Sequence, residues 1–279
     1  MNRSRPNLQA PQKGRGVGFC RKEAFTLLEL LVIVVIIGVL AALLLPALNK
    51  ARTLAQRTAC MSNLRQIGLA WTLYYEDSSG RLAESYPGGT APNPYAWVYG
   101  NMTNSSEAGS LTLLNRGRFF PYLTTPTVYH CPADQGVLIS DKRTPTVRSY
   151  SMNAFLGDRS RFGAPVNQAI SKNYPAFYSR ESDLDAPSQV WVLIEEDSRT
   201  ISDGYFLLDP ELKKAPTRLP STSPDRHDYA FGLNFADGHS EVWRFYDPAS
   251  AKLSSYGSSS AIDSKDFQRL ANVTAQPWQ

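Results

Sequence analysis

Histidine and cysteine are scarce: the chain has three of each in 279 residues. Neither residue sits in a recognisable catalytic arrangement. There is no G-x-S-x-G, P-loop, H-E-x-x-H or Rossmann glycine pattern, so the common signatures of acyl transfer, phosphate cradling, zinc proteolysis and dinucleotide binding are missing. Ser, His and Asp are scattered without such a context, and the expectation is a protein that is not an enzyme. No internal repeat is present. No basic stripe with interleaved aromatics is present either, so nucleic acid is not an expected partner. The formal charge of +4 does not change this, because Arg3, Arg5, Lys13, Arg15, Arg21 and Lys22 face only Glu23 within residues 1–24. Those residues hold all of the positive excess, and residues 25–279 carry a net −1.

Long hydrophobic runs are also few: there is one. From Leu30 to Leu45 every residue is apolar or glycine, and apart from Pro46 the run continues to Leu48. As a helix, residues 25–48 extend about 36 Å, enough to cross a bilayer with some tilt. The run is too long for an ordinary secretory signal, and no A-x-A cleavage site follows it. Glu29 lies at its mouth. A carboxylate inside a membrane helix costs about 2.5–3.5 kcal/mol at the centre and less near an end, so a partner for Glu29 is to be sought.

The stretch Ala-Phe-Thr-Leu-Leu-Glu, residues 24–29, with its basic leader and apolar continuation, resembles the type IV prepilin cleavage and methylation motif. The resemblance implies removal of residues 1–24 at the Ala24–Phe25 bond by a membrane prepilin peptidase and N-methyltransferase. Phe25 then becomes the methylated first residue and Glu29 the fifth. The family usually has Gly before the cut, where this chain has Ala24. The implied partners are that peptidase, other pilin-like subunits along the N-terminal helix, and inner-membrane lipid. The implied location is the bacterial inner membrane, single-pass, with the N-terminus cytoplasmic and the head periplasmic before assembly into an extracytoplasmic filament. The basic leader agrees with that orientation, whereas Lys50, Arg52 and Arg57 place charge on the other flank. In this scheme Glu29 pairs with the α-amine of Phe25, in a neighbouring subunit or its own, and sets axial register during assembly. The system would be a type II secretion pseudopilus or a type IV pilus.

Beyond the membrane run, Leu48, Ala51, Leu54, Ala55, Met61, Leu64, Ile67, Gly68, Trp71, Tyr74 and Tyr75 recur at spacings of three and four. This predicts an amphipathic helix over 49–76 that continues the membrane half, with a kink at Pro46. Residues 77–279 read as an α+β head. Loops rich in Gly, Pro, Ser and Asn follow Asp77, residues 111–123 read as a short helix or turn, and QVWVLIEEDS reads as a buried strand. YAFGLNF and SEVWRFY form a hairpin around Asp237-Gly238. The fold class expected is a long N-terminal helix, part transmembrane and part amphipathic, packed on an antiparallel sheet, which is the pilin-like arrangement. Residues 227–246, RHDYAFGLNFADGHSEVW within its neighbourhood, also resemble the H-x9-DG domain of prepilin-like proteins.

Two readings of His227, Asp237 and His239 stand side by side. In one, Asp237 and Gly238 serve the turn and His227 bonds a nearby carbonyl. In the other, His227, Asp237 or His239 join Glu195, Glu196 or Asp197 in a metal site, with oxygen donors suiting Ca²⁺ and imidazoles favouring Zn²⁺; no cofactor is otherwise expected. The cysteines also allow two states. Cys20 lies in the leader, Cys60 shares the stripe of Leu64, Ile67 and Trp71, and Cys131 lies in the head. Outside the cytoplasm Cys60 and Cys131 can form a disulfide tying helix to head; otherwise they are two buried thiols. An alternative function is a membrane-tethered ligand- or glycan-binding module, with Tyr95, Trp97, Trp191 and Trp243 as stacking faces.

Overall fold

A computed structural model describes residues 26–88, 92–123, 125–158, 177–196, 201–208, 226–246 and 265–276. The proposed cleavage residues Ala24 and Phe25, the leader, Asp197 and Trp278 lie outside them.

Thr26 and Glu29 start the first helix, α1 (Leu27–Asp77). The Thr26 hydroxyl accepts a hydrogen bond from the Glu29 amide at 3.2 Å, and the Glu29 carboxylate accepts from the Thr26 amide at 2.9 Å and hydroxyl at 2.8 Å. This is a capping box, which satisfies backbone donors that a helix start leaves unpaired. It gives Glu29 a local partner, Thr26, which the sequence pattern T-x-x-E already contains. Pro46 sits inside α1 without ending it. The apolar residues from Leu27 to Leu48 are exposed throughout. Among the described residues this is the one helix long and apolar enough to cross a membrane.

Within the head, the buried face of α1 consists of Cys60, Met61, Leu64, Ile67, Gly68, Ala70, Trp71 and Tyr74. The periodicity predicted a core stripe starting near residue 48, but Leu48 and Leu54 are 65% and 54% exposed. The stripe is present in the sequence; the head covers it only from Cys60 onward. Ser79 and Gly80 take left-handed backbone conformations just past α1, at φ 57° and 78°, and close the turn that ends it.

The remaining helices are short: α2 (Leu111–Asn115), capped by the Ser110 hydroxyl, and α3 (Lys265–Ala271). Strands β1 (Val137–Ile139) and β2 (Lys142–Thr144) form a small separate hairpin. The main sheet uses β3 (Tyr150–Asn153), β4 (Trp191–Glu195), β5 (Tyr205–Phe206), β6 (Ala230–Phe235) and β7 (Ser240–Arg244), in the order β5-β3-β4-β6-β7. The expected antiparallel sheet is in fact mixed, because β5 pairs parallel to β3. The predicted hairpin is β6–β7, in register from Ala230 opposite Arg244 to Asn234 opposite Ser240. Gly238, at φ 90°, supplies the left-handed turn residue.

Along β3, β4 and β6 both faces of this sheet are buried, whereas the edge strand β7 buries Trp243 and exposes Glu241, Val242 and Arg244. Along β6, Phe231, Leu233 and Phe235 face one cluster with Trp191, Trp243, Phe267 and Leu270. The alternate residues face α1, where Leu64 packs over Gly232 so closely that a methyl on Gly232 would overlap Leu64 Cδ1. A methyl on Gly68 would likewise overlap the Asn234 amide. A register shift between Trp191 and Leu193 marks a bulge in β4. It sends Val192 and Leu193 together toward the α1 side, while Trp191 and Ile194 face the other.

Two polar anchors hold the edges. The Asn153 amide donates to the carbonyls of Trp191 (2.9 Å) and Thr274 (2.8 Å), and the Trp191 indole donates to the Thr274 hydroxyl at 3.0 Å. These bonds seat the C-terminal segment on the sheet, with Phe267 and Leu270 buried beneath α3. Arg148 is fully buried and donates to the carbonyls of Tyr150 (2.7 Å), Ser202 (3.2 Å) and Asp203 (2.6 Å). Burial draws its guanidinium down to about 10, against the opposing pull of Glu196 and Asp203.

Candidate functional site

Four chemically active side chains from four distant segments meet beneath the end of β4. Cys60 comes from the first buried turn of α1. Cys131 follows the 3₁₀ turn Pro126–Tyr129. Glu195 is the last residue of β4. His227 precedes β6 in a turn whose three residues His227, Asp228 and Tyr229 all have left-handed φ, at 52°, 57° and 55°. Each such non-glycine residue costs roughly 1–2 kcal/mol, so a run of three persists only where surrounding contacts hold it. The turn is what swings the imidazole under the sheet, and His227 is buried.

The donor atoms of these four residues lie within 4.8 Å of one another. His227 Nε2 stands 3.1 Å from Cys131 Sγ and 3.2 Å from Glu195 Oε1. Cys60 and Cys131 are free thiols in contact. The Tyr150 hydroxyl donates to Cys60 Sγ at 3.2 Å, and the Ala133 amide donates to Cys131 Sγ at 3.4 Å. Glu195 Oε2 accepts from the Gly232 amide at 3.3 Å, whereas the buried Oε1 pairs with His227 and Arg226 without a well-aligned hydrogen bond among the described residues. His227 Nδ1 has no hydrogen-bond partner among the described residues.

Arg226 ties the cluster to its surroundings. It pairs with Asp134 at 2.5 Å, approaches Glu195 Oε1 at 3.6 Å and donates to the Glu196 carbonyl at 2.8 Å. Asp134 also accepts from the Ser149 hydroxyl at 2.6 Å.

The electrostatics follow from burial and these contacts. Burial pushes the Cys60 thiol well up, and the neighbouring Cys131 adds to this. Burial pushes Cys131 up too, but the Cys60 thiol, His227 and Arg226 outweigh it and bring it below the ordinary range. Burial opposes ionisation of Glu195 as well, yet His227 and Arg226 hold its carboxyl down at about 2. Burial lowers His227, and the opposing Cys131 and Glu195 raise it to about 9. Glu195 is thus held as a carboxylate between two cations, His227 and Arg226.

Of the six residues expected to gather around a metal, Asp197 lies outside the described residues, and of the other five Glu195 and His227 meet here. Asp237 and His239 stand at the far end of β6, about 20 Å away along a strand rising about 3.3 Å per residue. There the His239 ring pairs with Asp237 at 2.5 Å and stacks on Phe235 at 4.3 Å. Glu196 follows Glu195 but faces elsewhere, accepting from the Ser151 hydroxyl at 2.6 Å. Strand alternation sends adjacent acids to opposite sides. The two cysteines were singled out for a different chemistry, and Arg226 and Asp134 were not singled out at all. Their signal was adjacency, since Arg226 precedes His227 and Asp134 follows Cys131 by three.

The aromatic residues named as stacking faces are not open platforms. Trp97 and Trp191 are fully buried, and Trp243 lies under the Arg269 guanidinium at 3.6 Å. Tyr95 is half-buried, with Arg81 5.6 Å from its ring centroid.

Comparison with known proteins adds one finding. Residues 20–45 match the family model described as the prokaryotic N-terminal methylation motif. That match supports a type IV pilin-like subunit in general, processed by a prepilin peptidase and assembled with other pilins. No match to the chain was found among curated proteins or among solved structures.

Proposed function

We propose that the chain is a structural pilin-like subunit of a type II secretion pseudopilus or type IV pilus system. It is cut between Ala24 and Phe25, N-methylated on Phe25 and assembled through its N-terminal helix. Before assembly it rests in the bacterial inner membrane, N-terminus inside and head in the periplasm. The observation that carries this reading is the N-terminal half of α1, where an unbroken, exposed apolar surface begins at a carboxylate two residues inside the helix. Such a surface needs lipid or other apolar helices around it.

The Thr26–Glu29 capping box refines the assembly step. Glu29 enters the membrane with its carboxylate already satisfied by Thr26, which lowers the cost of carrying it there. On docking, a neighbour's α-amine offers a charged partner in place of neutral donors. Exchange of the local cap for an intermolecular ion pair then fixes axial register without adding bulk stability.

Intact mass and N-terminal sequencing of the membrane-extracted protein test this reading. The expected result is a chain beginning at N-methyl-Phe25. A chain beginning at Met1, in a host whose prepilin peptidase is active, would overturn it. Glu29→Gln, which keeps acceptor capacity but removes charge, should insert normally and fail to assemble.

A further inference from the structure

We propose that Cys60, Cys131, Glu195 and His227 form a closed structural zinc site that fastens α1 to the head. The inference goes beyond the filament reading and does not depend on it.

The donor set is the first argument. Two sulfurs, one imidazole nitrogen and one carboxylate oxygen make a four-ligand group suited to tetrahedral Zn²⁺. Sulfur donors disfavour Ca²⁺ and Mg²⁺, which take oxygen. Zinc bonds of about 2.0–2.3 Å imply ligand-to-ligand edges of roughly 3.3–3.8 Å in a tetrahedron. The edges at His227 Nε2 are 3.1 and 3.2 Å, and no edge exceeds 4.8 Å.

The cluster also leaves bonding capacity unused. Glu195 Oε1 is buried, and its partners are the ion pairs with His227 Nε2 at 3.2 Å and Arg226 at 3.6 Å, with no well-aligned hydrogen bond among the described residues. A disulfide between Cys60 and Cys131 would use the two sulfurs but engage neither the carboxylate nor the imidazole. A metal bonds all four donors at once. It also accounts for the three left-handed residues from His227 to Tyr229, since that turn is what brings the imidazole in.

The surrounding shell also suits thiolate ligands. The Tyr150 hydroxyl and the Ala133 amide donate to the two sulfurs, an arrangement that stabilises thiolates. Zinc with two thiolates and one carboxylate carries one net negative charge, and Arg226, 3.6 Å from Glu195, offsets it. All four ligands are buried, so no coordination position opens to substrate and the site is structural rather than catalytic. Loading is an exchange: Zn²⁺ replaces the protons on the two thiols and on Nε2, which pass to solvent, and no electrons move.

The test uses the full chain in detergent, purified without chelator. Elemental analysis should find about one zinc per chain. After chelation, Co²⁺ added alone should give sulfur-to-cobalt charge-transfer absorption with tetrahedral d–d bands. Glu195→Gln preserves the shape and the Gly232 contact, so it keeps the fold testable; it should weaken zinc binding by about tenfold or more. His239→Ala should leave zinc content unchanged. Three results would overturn the proposal: a chain without zinc whose thiols both alkylate, a chain without zinc that is lighter by its two thiol hydrogens because the pair is oxidised, or cobalt spectra without a sulfur band.

Discussion

The close approach of α1 to β6 predicts a specific coupling between Leu64 and Gly232. Leu64 is fully buried, and a methyl on Gly232 would overlap its Cδ1 and come within 3.1 Å of Met61 Sδ. Gly232→Ala therefore forces Leu64 off its rotamer or lifts the helix, an overpacking cost of about 1–3 kcal/mol. Reduced freedom of the unfolded chain returns about 0.4–1 kcal/mol of that. Leu64→Ala removes a packed side chain and leaves a cavity, costing about 2–5 kcal/mol. In the double variant the new methyl at 232 occupies space that Leu64 vacates. Its stability should then match or exceed that of Leu64→Ala alone, a favourable coupling of about 1–3 kcal/mol. Guanidinium unfolding of the detergent-solubilised chain, followed by fluorescence of the buried Trp71, Trp97 and Trp191, measures all three. A double variant whose loss equals the sum of the single losses, within about 0.5 kcal/mol, would refute the packing.

Arg148→Met should destabilise the head by about 3–5 kcal/mol, because it removes the buried donor shared by the carbonyls of Tyr150, Ser202 and Asp203 and the cation opposing Glu196. Arg148→Lys should not rescue it, since one ammonium cannot copy a fork that spans those carbonyls; the same unfolding assay decides. Asn153→Ala should cost about 1–3 kcal/mol and raise amide exchange in residues 265–276, whose seat on the sheet uses that amide. Unchanged exchange there would mean that the Trp191 bonds to Val273 and Thr274, with the apolar contacts, hold the segment without Asn153. His239→Ala should alter stability by no more than about 0.5 kcal/mol, because the ring is exposed at the hairpin tip and pairs locally.

The long helix, the β4 strand and the β6–β7 hairpin were readable from periodicity because each rests on a local pattern. The extent of burial along α1 was not, since the stripe continues through Leu54 while the head's cover begins at Cys60. The parallel β5 pairing also escaped, because two residues, Tyr205 and Phe206, carry no strand period. At the cluster, Cys60, Cys131, Glu195 and His227 were each noticed, but for two separate chemistries. Sequence spacing grouped His227 with Asp237 and His239, which β6 carries away from it. Only the sheet order, with β4 beside both β3 and β6, brings the end of β4 against the start of β6 and joins the two groups.

The position of Cys60 matters beyond its chemistry. It is the first buried residue of α1, so any unpeeling of this helix from the head that starts at its N-terminal side meets Cys60 first. Among the described residues, the hydrogen bond that ties residues 49–59 to the head is that of Gln56 to the Pro132 carbonyl at 3.2 Å. Under the proposed function the helix bears load, and the proposed zinc link at the first buried position would turn peeling into simultaneous rupture of the whole buried face. In the chain-entropy picture, a link over the span from residue 60 to residue 131 contributes about 4 kcal/mol. Hydrogen exchange gives a direct measure. With the cluster intact, amides 60–68 should be protected at the level of the sheet, with a sharp drop before residue 60. Cys60→Ser should speed exchange over 60–68 more than over 70–77, where Trp71 and Tyr74 still pack. Equal acceleration along the whole buried face would show that Cys60 contributes only to general stability and that no fastening acts at the helix entry.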